Sequence, residues 1–147
     1  MDKNHALAHV AHHPNTSDLI GKPFKDGGRG PDAYDCWGLT KEVFKRYGYD
    51  LPDYQISAVD PDGIAGQACI DLNQSSTGPR TWKRAVFSLP GHPQLVAFQM
   101  KEPGKINHVG TYIGEGRVIH ILENKTVCIE RVSKYQNFIE GFYEFKN

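Results

Sequence analysis

The residues of this chain best suited to chemistry are a cysteine and two histidines: Cys36, His108 and His120. A thiol becomes an effective nucleophile when a base lies within hydrogen-bond reach, and that base works best when a third group fixes its tautomer. His108 can serve as the base and His120 as the orienting group, provided that both imidazoles lie on one side of the fold. The set therefore predicts nucleophilic catalysis by a thiol, although each residue alone is more typical of a protein core.

Cys36 is predicted to open a helix. Asp35 is a suitable N-cap and Gly48 a suitable stop. Apolar residues recur at helical spacing on the face that carries the cysteine, at Leu39, Val43 and Tyr47. Because the first turn of a helix has unpaired N–H groups and the positive end of the helix dipole, we expect this position to favour the thiolate and to lower the pKa of the thiol.

His108 and His120 fall in two predicted strands that are joined by the turn Gly114-Glu115-Gly116. The length of this turn decides which faces of the sheet the histidines occupy. A two-residue turn would pair Thr111 with His120 and put the histidines on opposite faces. A three-residue turn would pair Gly110 with His120 and leave both histidines on one face. We expect the three-residue turn, because its last glycine can take the left-handed conformation that such turns require.

Several short segments of the chain form an ordered pattern: Asp35-Cys36-x-Gly38-Leu39, Gly48-x-x-Leu51-Pro52, Leu95-Val96-x-Phe98, His108-Val109-Gly110-x-Tyr112-Ile113-Gly114 and His120. This pattern resembles the NlpC-type cell-wall peptidases, which are papain-like cysteine peptidases, and covers roughly residues 20 to 145. The resemblance implies an α+β fold, in which N-terminal helices that carry the cysteine pack on an antiparallel sheet of about five strands that carries both histidines.

By the same resemblance, Cys36 is the nucleophile, His108 the general base and His120 the residue that orients the base. The implied reaction is hydrolysis of amide bonds in peptidoglycan stem peptides, with acyl transfer by the same thiol as the alternative. Neither a metal nor an organic cofactor is expected. The peptidoglycan peptide is the expected partner.

Four residues near the cysteine are the predicted substrate contacts: Asp35, Trp37, Phe24 and Tyr34. Trp37 stands where the family usually has serine, and Phe24 where it commonly has tyrosine, so that Tyr34 is a candidate source of the missing hydroxyl. An aromatic residue after the cysteine and a short chain resemble the members encoded among phage tail genes. The alternative function is therefore a phage tail assembly or structural component with little hydrolysis, whose partners would be tail proteins.

Composition predicts one domain with no nucleic-acid partner and no membrane insertion. The chain has 147 residues, and its seventeen basic residues balance seventeen acidic ones. No apolar run approaches the roughly 18 residues of a membrane span. The N-terminus lacks the pattern of a signal peptide. We therefore expect synthesis in the cytoplasm and action at the cell wall or in a phage virion.

The chain is expected to divide into an N-terminal helical or flexible segment, residues 1–18, and a peptidase domain, residues 19–147. In the first segment His5, His9, His12 and His13 would share one side of a helix. Such a row can bind a transition metal, but solvent-facing histidines are the simpler interpretation. A second helix is predicted over 61–72, with Cys69 on its apolar face, and Cys128 is likewise expected to be a reduced structural thiol. Strands are predicted at 94–100, 106–113, 117–122, 126–132 and 140–145.

Overall fold

A computed structural model describes residues 13–54, 56–60, 62–64, 82–85 and 92–146 of the chain. His5, His9, His12 and Cys69 lie outside the described residues, as does most of the predicted segment 1–18. His13 is described, and its Nδ1 lies 3.1 Å from the hydroxyl of Tyr47. Residues 62–64 are helical and are the described part of the helix predicted over 61–72. Across the described stretches, no helix has the length and apolar character of a membrane span.

The chain folds as one helix packed on an antiparallel sheet, which confirms the predicted α+β class. Helix α1 spans Cys36–Arg46, and two short 3-10 helices span Ser17–Leu19 and Val132–Tyr135. The strands are β1 (Trp82–Arg84), β2 (Gln94–Phe98), β3 (His108–Gly114), β4 (Arg117–His120), β5 (Cys128–Arg131) and β6 (Ile139–Phe145). Their order in the sheet is β1-β6-β2-β3-β4-β5, and all neighbours run antiparallel.

The sheet has six strands where about five are predicted. The additional strand is β1, which pairs with β6 at the edge of the sheet through Trp82 and Phe145. A strand of three residues is too short to show the alternation that identifies strands in a sequence. Trp82 is only 2% exposed, and its ring packs edge-on against Phe44 of helix α1. Burial of this aromatic ring, rather than strand propensity, accounts for the position of β1.

Helix α1 begins and ends where the sequence predicts. The Asp35 side chain accepts a hydrogen bond of 2.7 Å from the Gly38 N–H, which confirms the N-cap. Gly48 follows the C-cap with a φ of +97°, a conformation that ends helices and favours glycine. Leu39 and Val43 are buried on the face that packs on β3, each contributing roughly 1.5–3 kcal/mol.

Two layers of side chains cover the sheet. The layer under helix α1 includes Leu95, Val109 and Ile119, whereas the opposite layer includes Val96, Phe98, Val118 and Tyr135 of the second 3-10 helix. Every residue of β2 is buried because both of its faces are covered. β2 is thus the rigid centre of the sheet, and it pairs directly with the strand that carries His108.

Candidate active site

The Cys36 thiol lies in the first turn of helix α1, as predicted, but the turn does not lower its pKa. Burial raises the pKa of the Cys36 thiol to about 12, and the adjacent Asp35 carboxylate adds to the rise. The backbone N–H groups of Val109, Trp37 and Cys36 itself act in the opposite direction but are outweighed. Cys36 is only 7% exposed. The expectation of a lowered pKa is therefore wrong for this state, because desolvation of the thiolate exceeds the stabilisation from the helix start.

The two histidines lie on one face of the sheet, but not by the predicted turn. The turn has two central residues, Glu115 and Gly116, with φ values of +57° and +73°, and Gly114 pairs with Arg117. These values match a type I′ turn. The register shifts by one residue between Tyr112 and Gly114, so the earlier pairs are those that a three-residue turn would produce. A β-bulge, and not a three-residue turn, therefore places both histidines on one face of the sheet.

The imidazoles of His108 and His120 form a hydrogen bond, with 2.9 Å between Nε2 of His108 and Nδ1 of His120. The Phe98 ring lies 4.9 Å from the His108 ring and 5.7 Å from the His120 ring, centroid to centroid, and holds both in place. Gly110 leaves the space for this arrangement, since a Cβ atom there would lie 2.9 Å from the Cβ of His120. Burial, together with His120, lowers the pKa of His108 to about 3, so the resting imidazole is neutral.

Among the hydrogen bonds of the described residues, none joins the Cys36 thiol to the His108 ring. The N–H of Val109, the residue after His108, acts to lower the pKa of the Cys36 thiol. Since His108 Nε2 is bound to His120, Nδ1 is the nitrogen available to the thiol. The approach of the His108 ring to the sulfur stays a prediction. Catalytic hydrogen bonds of this kind often form only when substrate is bound.

Glu130 contacts His120 and adds a third group to the histidine pair, although no role is predicted for it from the sequence. Its Oε1 atom lies 2.8 Å from His120 Nε2 and accepts a hydrogen bond of 2.7 Å from the Tyr135 hydroxyl. The Lys134 ammonium group bonds to Oε2. No local pattern in the sequence identifies this contact, because it depends on the register of β5, which pairs Cys128 with His120 and so brings Glu130, two residues on, to the same face.

His120, Cys128 and Glu130 are also the described side chains whose ligand atoms could surround a metal ion, since these atoms all lie within 4.8 Å of one another. Hydrogen bonds already account for this grouping. The His120 and Glu130 atoms are only 2.8 Å apart, and the Cys128 sulfur lies 3.5 Å from the same carboxylate oxygen. A cation would have to displace the His120 proton and compete with the Lys134 ammonium for the carboxylate.

Asp35, one of the predicted substrate contacts, has its carboxylate turned into the protein. It is 1% exposed, and its oxygens accept hydrogen bonds from the N–H groups of Gly38 (2.7 Å) and Gly27 (3.0 Å) and from the Arg29 guanidinium (2.8 Å). These contacts hold the loop before the helix against its first turn. Asp35 therefore has a structural role here, and its contact with substrate stays a prediction.

The three aromatic residues predicted to contact substrate lie in different surroundings. The indole N–H of Trp37 donates to the Pro52 carbonyl at 3.0 Å, and its ring lies 5.1 Å from that of Tyr54. Phe24 is half-buried against the core and lines a hollow that also contains Glu130. Tyr34 is 3% exposed.

The hydroxyl of Tyr34 lies close to the backbone of Gly30. A Cβ atom added to Gly30 would lie 2.5 Å from the Tyr34 hydroxyl, so this hydroxyl lies directly against Gly30. The ring lines a hollow with Glu42 and Arg46, which belong to the C-terminal half of helix α1. These contacts place the Tyr34 ring beside the second half of helix α1, and its role at the site stays a prediction.

A loop, described at residues 51–54 and 56–60, lies beside Trp37 and His108. Asp26 anchors it by accepting hydrogen bonds from the Ser57 hydroxyl (2.6 Å) and the Ala58 N–H (2.7 Å). Ala58 and Val59 then line a cavity of about 90 Å³ together with His108. His108 thus borders a small cavity to which this loop contributes two residues.

The sequence of this chain is similar to those of known proteins. The model of the NlpC/P60 family matches residues 21–139. A "Probable endopeptidase p60" of Listeria innocua is 30% identical over 105 residues, which are 71% of this chain and 18% of that protein. This chain therefore spans about a fifth of the length of that relative.

Solved structures have the same fold. NlpC2 from Trichomonas vaginalis aligns with a TM-score of 0.59 at 20% identity, over 86% of this chain and 43% of that one. The NlpC/p60 domain of the peptidoglycan hydrolase SagA aligns with a TM-score of 0.53 at 23% identity, over 87% of this chain and 90% of that one.

Proposed function

The chain belongs to the NlpC/P60 family, and we propose that it is a cysteine peptidase that hydrolyses amide bonds in peptidoglycan stem peptides. The observation that carries the proposal is the hydrogen bond between His108 and His120 on the strand pair beside the Cys36 helix start. A thiol, a base and a group that orients the base are what covalent amide hydrolysis requires. The name of the Listeria innocua relative, a probable endopeptidase, supports peptide hydrolysis.

The reaction would begin from a neutral pair. Burial keeps the thiol protonated and His108 unprotonated at rest. As Cys36 Sγ attacks the amide carbonyl carbon, its proton passes to Nδ1 of His108. The C–N bond then breaks and the same proton goes to the leaving amine. Water next attacks the thioester, releasing the acid and restoring the thiol. The N–H of Cys36 at the helix start supports an oxyanion in both steps.

A second candidate is a phage tail assembly or structural component that retains the fold with little hydrolysis. Two observations favour it. The Cys36 thiol is 7% exposed, and the cavity beside His108 holds about 90 Å³. Ligand sites commonly enclose roughly 300–1,000 Å³. The cavity beside His108 is therefore smaller than a typical ligand site, and the thiol is largely covered.

Digestion of purified sacculi, with mass spectrometry of the released fragments, separates the two candidates. The protein should release fragments with new amine ends inside stem peptides, and Cys36→Ala should release none. His92→Ala is a suitable control, since it removes an exposed histidine. If the unaltered protein releases nothing from sacculi of several peptide chemistries, peptidoglycan hydrolysis is excluded and the structural candidate is favoured.

A further inference from the structure

We propose that Glu130 is a positioning residue, whose carboxylate sets the tautomers of both imidazoles and so leaves the basic nitrogen of His108 free for the thiol. This role deepens the proposed function and rests on it. The contacts form a chain of three groups from three strands: Glu130 on β5, His120 on β4 and His108 on β3.

The direction of the hydrogen bonds follows from what each group can donate. An ionised carboxylate only accepts, so the His120 Nε2 that faces Glu130 must carry the proton. A neutral imidazole has one N–H, and His120 Nδ1 is therefore an acceptor. It accepts from His108 Nε2, 2.9 Å away, which must then be the protonated nitrogen of that ring. His108 Nδ1 is consequently the atom with a free lone pair. The reverse tautomers would leave the His120 lone pair facing a carboxylate.

Glu130 is built to stay ionised. The Lys134 ammonium bonds to one oxygen, while the Tyr135 hydroxyl donates to the other at 2.7 Å. These partners lower the pKa of Glu130 to about 2 despite its partial burial. Both belong to the second 3-10 helix, which packs beside β5. The helix thus holds an acceptor in place at any pH where the imidazoles are neutral.

The charge of Glu130 should also matter during the reaction, when the imidazole pair carries a proton. Burial lowers the pKa of His120, whereas Glu130 raises it and Lys134 lowers it. The charged or titratable groups that face this ring are His108 from β3, Cys128 and Glu130 from β5, and Lys134 and Tyr135 from the second 3-10 helix. Loss of the carboxylate charge would remove the one anion among them and make the imidazolium less stable.

Glu130→Gln and Glu130→Ala test the role in different ways. Glutamine keeps the shape and an accepting oxygen but removes the charge, whereas alanine removes the acceptor as well. Glu102→Gln is the matched control, because it neutralises an exposed carboxylate that pairs with Lys105 at 3.8 Å. Urea unfolding of each variant shows whether it is folded before its other properties are compared.

The first measurement is the tautomer of each histidine from ¹⁵N NMR spectra, which requires no substrate. The unaltered protein should have both His108 and His120 protonated at Nε2. Glu130→Ala should give a mixture at both rings, although only His120 touches the altered residue. A folded Glu130→Ala protein whose two rings remain fully protonated at Nε2 would overturn the proposal.

The second measurement is the pH dependence of hydrolysis. Glu130→Gln should lower kcat roughly 10- to 100-fold with little change in KM, as for other groups that orient a functional histidine. The low-pH limb of the profile should move to lower pH by roughly one unit, because the imidazole pair, neutral at rest, takes up a proton less readily without the carboxylate charge. A kcat and a limb equal to those of Glu102→Gln would refute the role while leaving the peptidase function standing. If the unaltered protein hydrolyses nothing, the proposed function fails, and the tautomer spectra still decide the role of Glu130.

Discussion

Alanine in place of Gly38 should force the first turn of helix α1 away from the loop that carries Gly28. A Cβ atom at position 38 would lie 2.0 Å from the Gly28 carbonyl oxygen and 3.2 Å from the Asp35 carboxylate. Ordinary contact begins near 3.4 Å, so the two backbone segments would have to part by about 1.4 Å. The near atom belongs to the backbone, and no side-chain rotation can relieve the contact. The shift would therefore reach Cys36, two residues earlier.

Two opposing energies set the size of the effect on stability. Alanine is a better helix former than glycine by about 1 kcal/mol. Overpacking typically costs about 1–3 kcal/mol, and the upper part of that range applies because backbone must move. The shift also stretches the 2.7 Å hydrogen bond from the Gly38 N–H to Asp35, worth roughly 1 kcal/mol. We expect a net loss of about 2–3 kcal/mol in the free energy of unfolding, and roughly 100-fold lower hydrolysis from a misplacement of about 1 Å.

Urea unfolding and fragment release from sacculi measure the two effects, with Gly48→Ala as the control. Gly48 has a φ of +97°, and a Cβ atom added there would meet no atom within 4 Å, so alanine costs about 1–2 kcal/mol through backbone conformation alone. It lies at the far end of the same helix, so Gly48→Ala should lose stability and retain activity. A Gly38→Ala protein with unaltered stability and activity would show that the close approach to Gly28 does not position the thiol.

Three further results are expected. The free energy of unfolding should fall as the pH drops from about 6.5 towards 3. Burial lowers the pKa of His108 to about 3, so in this range the unfolded chain binds a proton that the folded protein does not bind. His108→Gln should therefore flatten this part of the stability curve measured by urea unfolding. Iodoacetamide at pH 7 should modify Cys36 slowly, because the pKa of this buried thiol is raised to about 12, and rapid modification seen by peptide mass spectrometry would contradict that environment. Arg29→Ala should lower the free energy of unfolding by roughly 1–3 kcal/mol, since it removes ion pairs to Asp35 (2.8 Å) and Asp53 (2.9 Å); Arg29→Lys should restore only part of the loss in urea unfolding, because lysine lacks the guanidinium fork.

Local rules are enough to predict the parts of the site that depend on neighbours in the chain. Asp35 caps the helix because its carboxylate reaches an N–H only three residues away, and Gly48 ends the helix through its own backbone freedom. The same rules identify the strands of His108 and His120, and the motif order predicts the NlpC-type α+β fold. The family match and the antiparallel sheet confirm that fold. The catalytic roles of the three residues stay predictions.

Contacts between distant residues account for what local rules miss. The bulge between Tyr112 and Gly114 brings the histidines together, although the turn beside it has two residues. Glu130 reaches His120 only through the register of β5, which no local pattern encodes. A thiol at a helix start, with two histidines on neighbouring strands, follows from the amino-acid order alone. The burial of this thiol, which keeps it protonated at rest, follows only from the packed chain, because desolvation depends on everything that surrounds Cys36 and not on its place in the helix.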